Sequence, residues 1–119
     1  MNEGKLGAIE ARFADIVWEN EPMSTQNLVK QCEEHLQWKR TTTYTVLKRL
    51  SERGLFCNDN GVVRALVSRE EFYARQSERF IDDTFAGSLP AFLTAFTSRK
   101  KLTASEIEEI RKMIDSYGE

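Results

Sequence analysis

The chain is poor in the residues that hold metals, close disulfides or carry nucleophilic catalysis. Its 119 residues include one histidine (His35) and two cysteines (Cys32 and Cys57). The cysteines have no CxxC spacing and no histidine cluster around them, so neither a zinc site nor a disulfide is expected, and both read as free thiols. Catalysis needs a nucleophile beside a base, or a metal cluster. Scattered carboxylates, one imidazole and two isolated thiols offer neither, so no catalytic residue, no metal and no cofactor is expected. Glu33-Glu34-His35 reads as a solvated helix face. The six glycines form no phosphate-cradling loop. No apolar run approaches the ~18 residues that span a bilayer. The opening Met1 to Gly7 is polar, with no hydrophobic segment behind it. A soluble, cytoplasmic chain without membrane insertion is expected. Internal repeats and low-complexity stretches are also missing.

What is present suffices for a core. Hydrophobic residues make up 40% and aromatics 10%, with seven Phe, and the length suits one small domain with an appendage. Total charge is −2, but it is unevenly spread. Residues 1–69 hold 10 basic and 9 acidic side chains, whereas 70–119 hold 7 and 10. Residues 39–53 alone carry five basic groups and one acid. Read at helical spacing, Thr43, Leu47 and Leu50, with Val46 beside them, make an apolar stripe. Thr41, Tyr44, Thr45, Lys48 and Glu52 fall on the other side, flanked by Arg40 and Arg49. Such a ridge suits the major groove, because Arg and Lys pair with phosphates or guanine edges and Thr can touch a thymine methyl. Local rather than global positive charge fits a modest, salt-sensitive DNA reader. The same ridge could instead dock an acidic protein, a use that the acidic total charge favours slightly, whereas the Thr-rich face favours DNA.

The surrounding pattern predicts a series of elements. Leu6, Ile9, Phe13, Ile16 and Val17 give a first helix over 6–19, which Asn20-Glu21-Pro22 breaks. Ser24 caps a second helix running to about Gln37, with Met23 stapled onto Leu28. The basic helix follows over 39–53 and ends at Gly54. Leu55-Phe56-Cys57 and Val62 to Val67, joined through Asn60-Gly61, read as a hairpin. Ser68-x-x-Glu71 opens a fourth helix to about Phe85, with Val67 stapled onto Phe72. Leu89 to Phe96 is a short helix, Ser98-Arg99-Lys100-Lys101 a basic linker, and Thr103-x-x-Glu106 opens a last helix to about Tyr117.

Three helices followed by a hairpin is the winged helix-turn-helix arrangement. The expected fold is mainly α with a small β-hairpin: residues 1–69 as a winged-helix DNA-binding domain with a core of Ile9, Phe13, Val17, Leu28, Leu36, Leu47, Leu50 and Leu66, then 70–119 as a helical dimerisation region. The second segment is too short to bury a core alone. Yet it is rich in large apolar groups, including Phe80, Phe85, Leu89, Phe92, Leu93, Phe96, Ile107, Ile110 and Ile114. An isologous homodimer made by these helices is expected; the competing arrangement is a monomer whose helices fold back. A twofold dimer would bind a pseudo-palindromic double-stranded operator.

With these elements in order, the sequence resembles the penicillinase-repressor family, which includes methicillin-resistance and copper-transport repressors. The resemblance covers about residues 6–117. It rests on Ile16-Val17-Trp18, on Thr42-x-x-Thr45-x-Leu47-x-Arg49-Leu50 and Gly54-Leu55, on Val67-Ser68-Arg69-Glu70-Glu71-Phe72, on Phe85-Ala86-Gly87-Ser88 and on Leu102-Thr103-x-x-Glu106-Ile107-x-x-Ile110. It implies a homodimeric winged-helix repressor whose third helix and wing hold an operator. Carried over residue by residue, it implies that Thr41, Thr42, Tyr44, Thr45, Lys48 and Arg49 face DNA, with Arg64 on the wing; Arg40, flanking the same face, is a DNA-binding candidate by its position. Thr42 and Arg49 would anchor phosphates, Tyr44, Thr45 and Lys48 would meet base edges, and Trp38 would pack. Two departures stand out. β-Lactam-responsive members are cut at an Asn-Phe bond by a membrane-bound metalloprotease sensor, and the matching place here is Ala95-Phe96, without the Asn. Copper-responsive members end in a cysteine-rich hook, and this chain ends Asp115-Ser116-Tyr117-Gly118-Glu119.

Overall fold

The computed structural model describes residues 5–118. Six helices and a small antiparallel sheet follow one another along the chain: α1 (Ala8–Asn20), β1 (Met23–Ser24), α2 (Thr25–Leu36), α3 (Arg40–Glu52), β2 (Phe56–Asp59), β3 (Val62–Ala65), α4 (Arg69–Phe85), α5 (Leu89–Arg99) and α6 (Ala104–Tyr117). The expected fold class, helical with a small hairpin in a winged helix-turn-helix order, is the observed one. Two compact units divide the chain, Met1–Arg79 and Phe80–Glu119.

In the first unit the helices form where apolar spacing and capping agree. Gly7 begins α1, and its N–H donates to Glu10 Oε1 at 3.1 Å. Ser24 Oγ accepts from Asn27 N at 3.0 Å, the N-cap that its side chain favours. Met23 and Leu28, the stapled pair, are both buried. The core gathers Phe13, Ala14 and Val17 of α1, Leu28, Cys32 and Leu36 of α2, and Val46, Leu47 and Leu50 of α3. Leu55, Phe56, Val63 and Phe72 close it from the sheet and the start of α4. Trp18 sits where these parts meet. Its ring lies edge-on to Phe56 at 5.7 Å, and its Nε1 donates to Val67 O at 2.9 Å.

Two residues expected in this core lie outside it. Ile9 is 49% exposed and Leu66 60% exposed. Each four-residue step along a helix turns the side chain by roughly 40°, so Ile9, two steps before Val17, has rotated off the stripe that Phe13, Ala14 and Val17 present. Leu66 lies beyond the last residue of β3. Val63 points inward and Arg64 outward on β3, and Leu66, in the bend just past the strand's end at Ala65, also faces outward.

The sheet holds a strand that the sequence pattern did not indicate. Its order is β1-β3-β2, with Met23 opposite Val63 and Phe56 opposite Ala65. Asn60 and Gly61 both adopt positive φ (54° and 89°), as a tight primed hairpin turn requires, and Gly61 N donates to Asn58 Oδ1 at 3.0 Å. Ser68 Oγ accepts from Glu71 N at 3.0 Å at the head of α4, while the Glu71 carboxylate accepts from Arg75 Nε one turn on.

The second unit is built from the end of α4, α5 and α6. The fifth helix runs past the Phe96 end that the apolar pattern predicts, through Ser98 of the expected linker to Arg99, with Lys100 as its C-cap. Cations are favourable in a last helical turn, so Arg99 extends the helix rather than ending it. Thr103 and Glu106 complete a reciprocal capping box at the head of α6. No side chain of α5 or α6 is fully buried. The line drawn in the sequence between 69 and 70 falls at the start of α4, whereas the compact units divide ten residues later, because Phe72 and Tyr73 pack on Trp18.

Candidate nucleic-acid interface

Helix α3 is held by its buried side and displays the other. Thr43, Val46, Leu47 and Leu50 face the core. The Thr43 hydroxyl, in the one buried polar side chain described, donates to Lys39 O at 3.3 Å and lies beside the Cys32 thiol. Burial pushes the Cys32 thiol above its ordinary value, and the Thr43 hydroxyl partly offsets this. At the far end Leu55 N donates to Leu50 O and Gly54 N to Ser51 O, the paired bonds of a Schellman motif. Gly54 takes φ +86° there, which a side chain would strain.

The displayed side carries the expected residues. Arg40, Thr41, Thr42, Thr45, Lys48 and Arg49 are exposed, and Tyr44 is half-buried. The Arg40 guanidinium lies over the Tyr44 ring at 5.3 Å, which orders both groups at the head of the helix. The Thr45 hydroxyl donates to Thr41 O at 2.9 Å. Its hydrogen is thus occupied, and what Thr45 offers outward is its methyl and its lone pairs. Trp38 stacks on Phe13 at 5.6 Å and is half-buried, so it packs. On β3, Arg64 is exposed and pairs in register with Cys57.

Arg49 sits differently from its neighbours. Its Nη1 is 3.0 Å from Glu10 Oε2 on α1, and Glu10 Oε1 lies 3.9 Å from Arg53 Nη1. The Gly7 N–H, and then Arg49 and Arg53, hold the Glu10 carboxyl below its ordinary value against a partial burial that opposes them. One N–H of Arg49 is committed, yet its side chain stays 54% exposed, so the remaining donors face solvent. Glu10 carried no signal in the sequence. Its partner lies 39 residues away, beyond any local pattern.

In the second unit, Phe80 and Phe85 lie on α4, Leu89, Phe92, Leu93 and Phe96 on α5, and Ile107, Ile110 and Ile114 on α6. The four Phe rings form one cluster, with neighbouring centroids 5.6 to 6.1 Å apart. Phe80, Leu89, Phe96, Ile107 and Ile114 remain exposed, as does Tyr117. A groove of about 390 Å³ runs between α5 and α6, floored by Phe92, Leu93, Ile110 and Met113. Ala95 and Phe96 are both exposed on α5, inside the helix. Among the described residues no group of three or more His, Cys, Asp or Glu could hold a metal, and no helix is long and apolar enough to cross a membrane.

A helix-turn-helix pair with a hairpin wing, displaying hydroxyls and cations on its third helix, defines a winged-helix protein of the nucleic-acid-binding kind. The profile of the penicillinase repressor family matches residues 6–116, and the chain belongs to that family. It is similar to the methicillin resistance regulatory protein MecI of Staphylococcus aureus, 24% identical over 115 residues that cover 93% of this chain and 94% of that protein. The MecI of Mammaliicoccus sciuri is 23% identical over 115 residues, again 93% and 94% of the two chains. The penicillinase repressor of Bacillus licheniformis is 19% identical over 117 residues, 95% of this chain and 91% of its own.

Proposed function

We propose that the chain is a transcriptional repressor that binds a pseudo-palindromic operator as a homodimer, through α3 and the β2–β3 wing. The observation that carries this reading is the division of α3, with one face locked into the core and the other presenting Arg40, Thr41, Thr42, Tyr44, Thr45 and Lys48 to solvent. Thr42 and Arg49 meet phosphates, Tyr44, Thr45 and Lys48 meet base edges, and Arg64 follows the backbone from the wing. Family membership supports the regulatory role. The exposed apolar residues of α5 and α6 support a second copy as the partner that covers them. Two copies about a twofold axis place two α3 helices in successive major grooves, which sets half-site spacing near multiples of roughly 34–36 Å.

A fluorescence anisotropy titration with DNA from upstream of the chain's own gene tests the reading. Saturable binding at ~0.15 M salt is expected, weakening steeply as salt rises. No binding at low salt with micromolar protein would count against it. Binding to an acidic protein with no duplex affinity would favour the alternative, an interaction module. Lys48→Ala should cost about 1–3 kcal/mol and relax sequence preference. A uniform loss across all sequences would make Lys48 a phosphate contact. Control by a membrane-bound metalloprotease sensor gains no support from Ala95-Phe96, which lacks the Asn and lies within a helix.

A further inference from the structure

The first unit contains a cavity that the DNA reading does not use. It lies beside the glycine-ended terminus of α3, between the flanking residues Leu55 and Val67 and helix α4, and has a volume of about 390 Å³. That is at the lower end of the roughly 300–1,000 Å³ usual for small-molecule pockets. Leu55, Val67 and Phe72 give it apolar walls; Arg53, Arg75 and Arg79 stand around it. Leu55 and Phe72 also belong to the core, so those walls are fixed.

The charges around this cavity do not balance. Arg75 is paired with Glu71 at 2.7 Å, and Arg53 lies 3.9 Å from Glu10. Glu10 also serves Arg49, at 3.0 Å. Arg79 has no carboxylate partner among the described residues, so its positive charge is left over at the cavity. A guanidinium pairs with a carboxylate through two parallel N–H donors, and the pairing strengthens beside apolar surface that excludes water.

We propose that this cavity binds a small organic acid, its carboxylate held by Arg75 and Arg79 and its apolar body against Leu55, Val67 and Phe72. The occupant touches the end of α3, so binding would reach the helix that reads DNA; that consequence rests on the function proposed above, whereas occupancy itself does not.

The test is a titration of the whole ¹⁵N-labelled protein with phenylacetate, followed by the amide shifts of Val67, Phe72 and Gln76. Saturable shifts are expected. Phenethylamine, with a similar body and opposite charge, and acetate, with the charge and no body, should each bind at least tenfold more weakly. Arg75→Ala and Arg79→Ala together should weaken phenylacetate at least tenfold with an unchanged melting temperature; both side chains lie on the surface of α4. Equal shifts with phenethylamine, an equal response to inorganic phosphate, or unaltered affinity in the double variant would overturn the proposal. No DNA enters the measurement, so its failure and the failure of the operator reading are separate results.

Discussion

At Gly54 the backbone turns left-handed so that Leu55 can drop into the core and bond back to Leu50. A Cβ there would meet nothing within 4 Å, so the cost of Gly54→Ala is conformational rather than steric. It should lower stability by about 1–2 kcal/mol, read as a reduced urea midpoint with an unchanged slope. Trp18→Phe keeps the ring packing and removes the donor to Val67 O. A loss of about 1–3 kcal/mol in the same measurement is expected, because a half-buried carbonyl is left without its partner. Much of the display on α3 was legible at this scale, since a stripe of Thr43, Val46, Leu47 and Leu50 dictates which side chains point away. Hydrophobicity alone does not place Ile9 or Leu66: angular position on α1 turns the first outward, and the bend after β3 exposes the second.

Between elements, ion pairs and a side-chain hydrogen bond link what the core already packs together. Glu10 joins α1 to α3, Arg69 bonds Asp15 at 3.0 Å to join α4 to α1, and Arg12 donates to His35 O at 2.8 Å to join α1 to α2. The Glu10 pair has a signature in acid. Its carboxyl lies below the ordinary 4.5 in the folded chain, so its stabilisation is complete above that value and fades as pH falls through the lowered one. Glu10→Gln should therefore flatten the acid side of the stability–pH curve below about pH 4.5, checked by urea midpoints across pH. Links of this kind were illegible in the sequence because their partners are distant along the chain. The strand β1 was hidden for another reason: two residues are too few to show alternation, and Ser24 was already accounted for as a helix cap. The helix ends that were legible at Ser24, Ser68 and Thr103 are those where one hydroxyl settles the matter within three residues.

For the whole molecule, the two units bury their side chains very differently. The first encloses Phe13, Leu28, Leu50, Phe56 and Val63 completely, whereas α5 and α6 enclose none. A region so exposed gains most from a partner, and the proposed partner is its own copy. Phe96→Asp should shift sedimentation velocity toward a single-chain species. Apparent operator affinity should fall on the order of a hundredfold, because the second half-site is no longer engaged intramolecularly. A variant that stays dimeric and keeps its affinity would assign dimerisation to other surfaces. The apolar richness of 70–119 was plain in the sequence. Its division at residue 80 was not, since α4 runs unbroken through the boundary.

The two thiols sit at different depths: Cys57 is half-exposed on the wing, and Cys32 is sealed against Thr43 in the seam between α2 and α3. A disulfide reagent will therefore label the chain in two phases. The fast phase belongs to the hairpin; the slow one waits for the seam to part. The native chain thus carries its own clock for opening of the helix-turn-helix, readable without adding a probe.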